Sequence, residues 1–136
     1  MVGGGAVNWH GYKRHSADVD FWIDRTPDNL ERLRSALRDL GYDLDAFPPS
    51  VSSGLQNVSL KFSPDDLDVE LITRFDVSRP FGKAYEASTE VQGEGPALHR
   101  WRVLAYGDLV TSKLKAGRPK DLLDIHELRR VRGEDT

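Results

Sequence analysis

Cysteine is absent from the 136 residues of the chain. Without thiols there can be no disulfide and no thiolate metal site, and this usage is typical of a reducing compartment. Long apolar runs are absent too, since none approaches the roughly 20 residues needed to span a membrane. Residues 1–10 are too short and too glycine-rich for the apolar part of a secretory signal. We therefore expect a cytoplasmic protein without a membrane segment.

An excess of positive charge is also lacking. The 19 Lys and Arg against 22 Asp and Glu give a net charge of -3, which argues against a general nucleic-acid binder. Residues 98–132 nevertheless carry nine Lys or Arg and four Asp or Glu. This basic third could hold an anionic ligand against the acidic remainder, or it could simply form solvated helix surfaces. The length and a hydrophobic content of 38% predict a single domain over residues 1–136.

Helix and strand signals alternate along the chain. Thr26 and Pro27 are a typical helix start, leucines then recur at helical spacing, and Gly41 ends the run. Apolar and polar residues alternate over 56–63 and 67–73 around a Ser-Pro-Asp-Asp turn, which predicts a β-hairpin. Further predicted elements are a short helix from Ala6, strands over 17–23 and 98–105, helices over 108–116 and from Pro119, and loops over 47–54 and 74–97. This order predicts an α+β fold with a mixed sheet.

Carboxylates recur at strand spacing in two places. Asp18 and Asp20 share one side of the predicted strand 17–23, and Asp68 and Glu70 repeat the arrangement on the hairpin. If these strands are neighbours, three or four carboxylates meet and repel one another. Mg²⁺ would remove the conflict, and two such ions about 3.5–4 Å apart can clamp an in-line phosphoryl displacement. An isolated Asp-x-Asp pair is more often only a solvated strand end.

Two stretches of the sequence resemble one known family. The first carries Gly3-Gly4, Ala6-Val7, His10-Gly11, Arg14, Ser16 (where Thr is usual) and Asp18-Val19-Asp20; the second carries Lys113, Gly117-Arg118-Pro119-Lys120-Asp121 and Asp124. Together they resemble the minimal nucleotidyltransferases of the DNA polymerase β superfamily. The similarity is closest to the small bacterial members of the abortive-infection and toxin–antitoxin type, and it covers nearly the whole chain.

The resemblance implies a fold as well as an activity. The fold would be a nucleotidyltransferase-like mixed sheet with helices packed mainly on one face. Relatives have a helix and a strand before the glycine turn, whereas only Met1 and Val2 precede it here, so the N-terminal strand is largely missing. Because a missing strand leaves an open sheet edge, we expect a homodimer or a complex with a partner protein.

Residue roles follow from the same resemblance. It implies that Asp18, Asp20 and Glu70 are the catalytic, metal-binding carboxylates. Glu70 takes a place where Asp is commoner, and Asp68 on the same face is the alternative third carboxylate. The metal would be two Mg²⁺ ions, or Mn²⁺ in their place. The residues expected to bind the nucleotide are Gly3, Gly4, Arg14, Ser16 and Lys113, of which Lys113 would meet the triphosphate.

Two functions remain open at this stage. The first is a metal-dependent nucleotidyltransferase that moves a nucleotide from an NTP, with ATP favoured, to a hydroxyl of RNA, protein or a small molecule. Such an enzyme would suit a toxin–antitoxin or phage-defence system. The alternative is a catalytically inactive nucleotidyltransferase-fold module that acts through a protein partner, which the missing strand and the Glu at position 70 favour.

Several other polar and aromatic residues have simpler interpretations. We expect Arg118 to join two helices through Asp121 and Asp124, and His126 to pack at the edge of the core. His10 would make a structural hydrogen bond or contact a phosphate or base. The three tryptophans, expected as core or dimer contacts rather than base-stacking residues, are Trp9, Trp22 and Trp101.

Overall fold

The computed structural model describes residues 1–12, 18–62, 67–92 and 100–133. Within these ranges the chain forms six helices and five strands, which confirms an α+β fold. In chain order they are α1 (Gly3–Trp9), β1 (Asp18–Trp22), α2 (Pro27–Asp39), α3 (Pro49–Ser52), β2 (Val58–Phe62), β3 (Leu67–Ile72), α4 (Phe81–Ala87), β4 (Thr89–Gln92), β5 (Arg100–Val103), α5 (Tyr106–Ala116) and α6 (Pro119–Arg132).

The first sheet contains three strands in the order β1-β3-β2. β2 and β3 pair antiparallel, which confirms the predicted hairpin, and β1 joins the other edge of β3 in parallel. Successive side chains of β3 point to opposite faces of the sheet, which explains why Val69 and Leu71 are buried while Asp68 is exposed. The turn predicted at residues 63–66 lies outside the described residues.

The second sheet corrects one loop prediction. Residues 74–97 were expected to form a long loop, but α4 and β4 lie within them, and β4 pairs antiparallel with β5. Ala84 of α4 is buried, and Phe81 packs edge-on against Trp22 of β1 with the ring centroids 5.0 Å apart. The polar composition hid these elements because their packing partners are distant in sequence.

The helices agree with the sequence except in their details. α2 begins after Thr26 and has Pro27 in its first turn, as predicted, and it buries Leu30 and Leu37. The predicted loop 47–54 is wrong in its middle, where the four-residue helix α3 buries Val51. α5 starts two residues before the predicted boundary and ends at Gly117, whose φ of 63° is the left-handed conformation of a helix C-cap.

The core joins elements from both ends of the chain. Its buried members include Val7 of α1, Val103 of β5, Leu109 of α5 and Leu128 of α6. These side chains are 0% exposed, so α1 is held between the C-terminal helices and the β1 side of the molecule. In the described part of the chain, no helix has both the length and the apolar character needed to cross a membrane.

Met1 and Val2 lie between the two sheets. The backbone N–H of Val2 donates to the carbonyl of Asp20 in β1, at 2.8 Å. The Met1 ammonium donates to the carbonyl of Arg102 in β5. The N–H of Leu104 donates to the carbonyl of Met1, at 3.1 Å. Two consecutive residues therefore pair with strands on opposite sides, as a short central strand does.

Burial of the Met1 ammonium predicts a pH dependence of stability. Desolvation lowers the pKa of this amine from 8.0 to about 6. Between these two values the folded protein binds fewer protons than the unfolded chain, so the free energy of unfolding rises with pH. We expect a gain of about 2 kcal/mol from this group between pH 6 and pH 8, measured by urea unfolding. In Nα-acetylated protein this amine cannot titrate, so the free energy of unfolding should rise less between pH 6 and pH 8. An unchanged rise after acetylation would contradict the assignment.

Candidate functional site

Parallel pairing of β1 and β3 brings the predicted carboxylates into one register. Asp18 lies opposite Asp68, and Asp20 lies opposite Glu70. In a parallel pair, residues in register point to the same face of the sheet. Asp20, Asp68 and Glu70 therefore share one face on two neighbouring strands, as the sequence pattern predicted, and the side chain of Asp18 lies outside the described part of the structure.

A hydroxyl on the third strand holds Glu70. Ser59 of β2 is the register partner of Glu70, and its Oγ donates a 2.6 Å hydrogen bond to Glu70 Oε2. Glu70 is partly buried, whereas Asp68 is exposed and lies opposite Lys61. Ser59 was not singled out from the sequence, although its place on the polar face of the hairpin was the available signal. The hydrogen bond restricts the orientation of the Glu70 carboxylate. Within the described residues no side-chain hydroxyl holds Asp68 in the same way.

The glycine turn lies against Asp20. Gly3 has a φ of +63°, and a Cβ on it would lie 2.5 Å from Oδ2 of Asp20. Only glycine fits this position without movement of the carboxylate. The first turn of α1 contains unpaired backbone N–H groups by helix geometry, and the buried Gly4 belongs to that turn. Gly3 and Asp20, predicted to act together, are thus in contact.

Two predicted nucleotide-binding residues are not described by the structure. Arg14 and Ser16 lie outside the described residues, and their roles stay predictions. The predicted metal ligands Asp20 and Glu70 supply carboxylate oxygens, which are the ligands that Mg²⁺ prefers. Among the side chains that the structure describes, no group of three or more His, Asp or Glu is arranged as a metal site. Asp20 and Glu70 are the two predicted metal ligands whose side chains the structure describes.

Lys113 belongs to a buried ion-pair cluster between α5 and α6. Its Nζ lies 3.3 Å from Oδ1 of Asp121 and 3.0 Å from Oδ2 of Asp124. Lys113 is 7% exposed, Asp121 is 0% exposed and Asp124 is 2% exposed. The ammonium is therefore shared between two carboxylates, and its predicted contact with a triphosphate would require this cluster to rearrange.

Arg118 completes the cluster. Its Nε donates to Oδ2 of Asp121 at 2.7 Å, and its backbone N–H reaches the same oxygen at 3.2 Å. The expected contact of Arg118 with Asp121 is present, but it caps the first turn of α6, and the side chain that joins α5 to α6 is Lys113. Burial by itself would raise the pKa of Asp121, but hydrogen bonds from Arg118 and Lys113 hold it below its usual range.

The histidine and tryptophan predictions had mixed outcomes. Nε2 of His10 lies 2.7 Å from the carbonyl of Leu104, so the structural hydrogen bond is confirmed. His126 is exposed, and its predicted packing at the core was wrong. Trp9 is 42% exposed and is not a core residue. Trp22 does pack, against the rings of Phe75 and Phe81.

Comparison of the chain with protein-family models, with curated proteins and with solved structures gave no match. The arrangement of the site therefore has to be interpreted from its own residues.

Contact between Gly3 and Asp20 predicts the effect of a methyl group at position 3. Gly3→Ala places Cβ against the carboxylate and forces an L-residue into the left-handed region, so we expect a loss of about 1–2 kcal/mol in the free energy of unfolding. The matched control is Gly82→Ala in α4, where a Cβ meets nothing within 4 Å. That variant should be neutral or slightly more stable. Equal effects in the two variants, measured by urea unfolding, would rule out the close approach.

The buried cluster predicts a second stability effect. Asp121→Asn leaves the Lys113 ammonium buried with one carboxylate fewer, so we expect the free energy of unfolding to fall by about 3 kcal/mol at pH 7. Glu86→Gln is the control, because the ion pair that Glu86 forms with Lys83 is exposed, at 3.9 Å, and its loss should change stability by less than about 0.5 kcal/mol. A loss below 1 kcal/mol for Asp121→Asn would show that the cluster is not structural.

Proposed function

We propose that the protein is a metal-dependent nucleotidyltransferase that transfers a nucleotide from an NTP, with ATP favoured, to a hydroxyl acceptor. The observation that carries the proposal is the parallel register of β1 and β3, which sets Asp18 opposite Asp68 and Asp20 opposite Glu70. A face with this density of carboxylates is destabilised by repulsion unless a cation is bound. Its closeness to the glycine turn supports phosphate chemistry over a structural metal site.

In this proposal Asp18, Asp20 and Glu70 hold Mg²⁺. The bound metal would supply charge neutralisation at the phosphates and at the leaving pyrophosphate. Glu70 would also help to activate the attacking hydroxyl, and Ser59 would orient its carboxylate through the 2.6 Å hydrogen bond. The proposed fold is the nucleotidyltransferase-like mixed sheet that the sequence resemblance implies.

The phosphates of the NTP would lie over the first turn of α1. Gly3 and Gly4 carry no side chains there, and in this proposal phosphate oxygens would approach the backbone N–H groups from the side of Gly3, since Gly4 is buried. Arg14, Ser16 and Lys113 complete the proposed nucleotide contacts. RNA, a protein or a small molecule would provide the acceptor hydroxyl, and a toxin–antitoxin or phage-defence setting would suit each of these acceptors.

One observation favours the second candidate function, an inactive binding module of the same fold. Lys113, proposed to meet the triphosphate, is engaged by Asp121 and Asp124. A module that no longer binds nucleotide would keep this cluster for stability alone. The two functions differ in whether Mg²⁺-dependent binding of an NTP depends on the carboxylates.

The test is a transfer assay combined with calorimetry. Purified protein is incubated with Mg²⁺, each α-³²P-labelled NTP and a cell lysate with its RNA, and labelled products are identified. We expect labelling that falls at least 100-fold in Asp20→Asn, because the metal loses a ligand. Asp28→Asn is the matched control, since Asp28 is an exposed carboxylate at the start of α2. A well-folded protein that neither binds any NTP nor labels any species would overturn the enzyme proposal in favour of the module.

The third carboxylate can be identified with the same assay. Glu70→Gln should abolish labelling, whereas Asp68→Asn should leave at least about a third of it, because among the described residues a neighbouring hydroxyl holds Glu70 and none holds Asp68. The reverse order would assign the role to Asp68. Unfolding curves of both variants separate loss of activity from loss of structure.

A further inference from the structure

Two arginines converge at one end of the three-stranded sheet. Arg25 follows the carboxyl end of β1, and Arg74 follows the carboxyl end of β3. Because β1 and β3 are parallel neighbours, both strands bring these residues to the same edge of the sheet. The N–H of Ile23 still donates to the carbonyl of Ile72, at 3.0 Å. The two chains are therefore paired until shortly before each arginine.

Gly54, which comes just after the short helix α3, makes room for both side chains. A Cβ at this position would lie 1.6 Å from Nη1 of Arg25 and 3.4 Å from Nε of Arg74. The two nitrogens are therefore at most 5.0 Å apart, which is the sum of these distances. Gly54 is buried and has a φ of +79°, so its conformation and the space beside it both require glycine.

The two positive charges are not compensated in the part of the chain that the structure describes. Neither arginine forms an ion pair with Asp or Glu there, and Nη1 of Arg25 is buried without a hydrogen-bond partner. The adjacent Asp24 instead accepts from the N–H of Thr26, at 3.3 Å. Arginine stays protonated in proteins, so the guanidinium groups repel each other. The unsatisfied buried donor adds a further cost in free energy.

An anion between the guanidinium groups would relieve both costs. An oxygen beside the line that joins the two nitrogens can lie about 2.7–3.2 Å from each of them. Nη1 of Arg25 is closed to solvent, so the oxygen reaches it when the exposed side chain of Arg74 rotates aside. Guanidinium groups are planar and bind phosphate oxygens through pairs of parallel hydrogen bonds.

We propose that Arg25 and Arg74 bind a dianionic phosphate group. Its two negative charges match the two guanidinium charges, whereas a phosphodiester or a carboxylate carries one. A free phosphate ion and a phosphorylated side chain of another protein share this chemistry, and the test below separates them. This inference does not depend on the proposed function, because it involves none of the carboxylates or glycines assigned to the nucleotide.

The test follows the side-chain Nε–H resonances of Arg25 and Arg74 by NMR at about pH 8, where phosphate is dianionic, without divalent cations. The probes are inorganic phosphate, the capped peptide acetyl-Ala-phosphoSer-Ala-amide, and dimethyl phosphate, which is a phosphodiester. We expect saturable shifts at both arginines with the first two probes and at least tenfold weaker binding of dimethyl phosphate. A Kd for the peptide at least tenfold below that for inorganic phosphate assigns the site to a phosphorylated side chain, and any higher value assigns it to free phosphate.

Variants of the protein locate the site. Arg25→Lys keeps the charge but loses the planar donor group, and Arg74→Gln loses an exposed charge, so each should weaken phosphate binding at least tenfold. Arg129→Gln, at an exposed arginine of α6, is the matched control and should leave it unchanged. Urea unfolding checks that all three variants fold.

Four results would each overturn the proposal. They are the absence of saturable binding, shifts confined to other residues, equal binding of dimethyl phosphate, and full affinity in the folded Arg25→Lys or Arg74→Gln variant.

Discussion

Parallel pairing between β1 and β3 is the interaction on which the site depends. These strands are far apart in sequence, and their register sets Asp20 beside Glu70. A shift by one residue would turn every carboxylate of one strand to the opposite face. The apolar alternation of β3, with Val69 and Leu71 buried, fixes that register because burial of the wrong face would expose them. Packing on one face of the sheet thus concentrates charge on the other.

The glycine turn and the residue before it are tied to the same strand, β1. Val2 bonds to the carbonyl of Asp20, and Gly3 lies against its carboxylate. Met1 connects this assembly to β5.

Local signals in the sequence were sufficient for the hairpin, for α2 and for the strand that carries Asp18 and Asp20. They were insufficient where packing decides. α4 packs against β1 and β4 pairs with β5, contacts that no local pattern reveals. On α6 residue type is a poor guide to burial: Leu122 and Leu123 are about half exposed, while Asp121 and Asp124 are buried. Lys113 makes this inversion tolerable, because a buried carboxylate needs an opposite charge. The pairing of Lys113 with Asp121 and Asp124 becomes visible once α5 and α6 are packed together in the folded structure.

The central claim is that oxygen atoms from β1 and β3 converge on a divalent cation. The most direct measurement is a crystal structure of the protein with Mn²⁺ and a non-hydrolysable ATP analogue, using the anomalous signal of manganese. The account predicts an anomalous peak about 2.0–2.3 Å from carboxylate oxygens of both Asp20 and Glu70, with triphosphate oxygens bound to the same ion. Peaks only at other carboxylates, or a nucleotide bound away from Gly3, would contradict it.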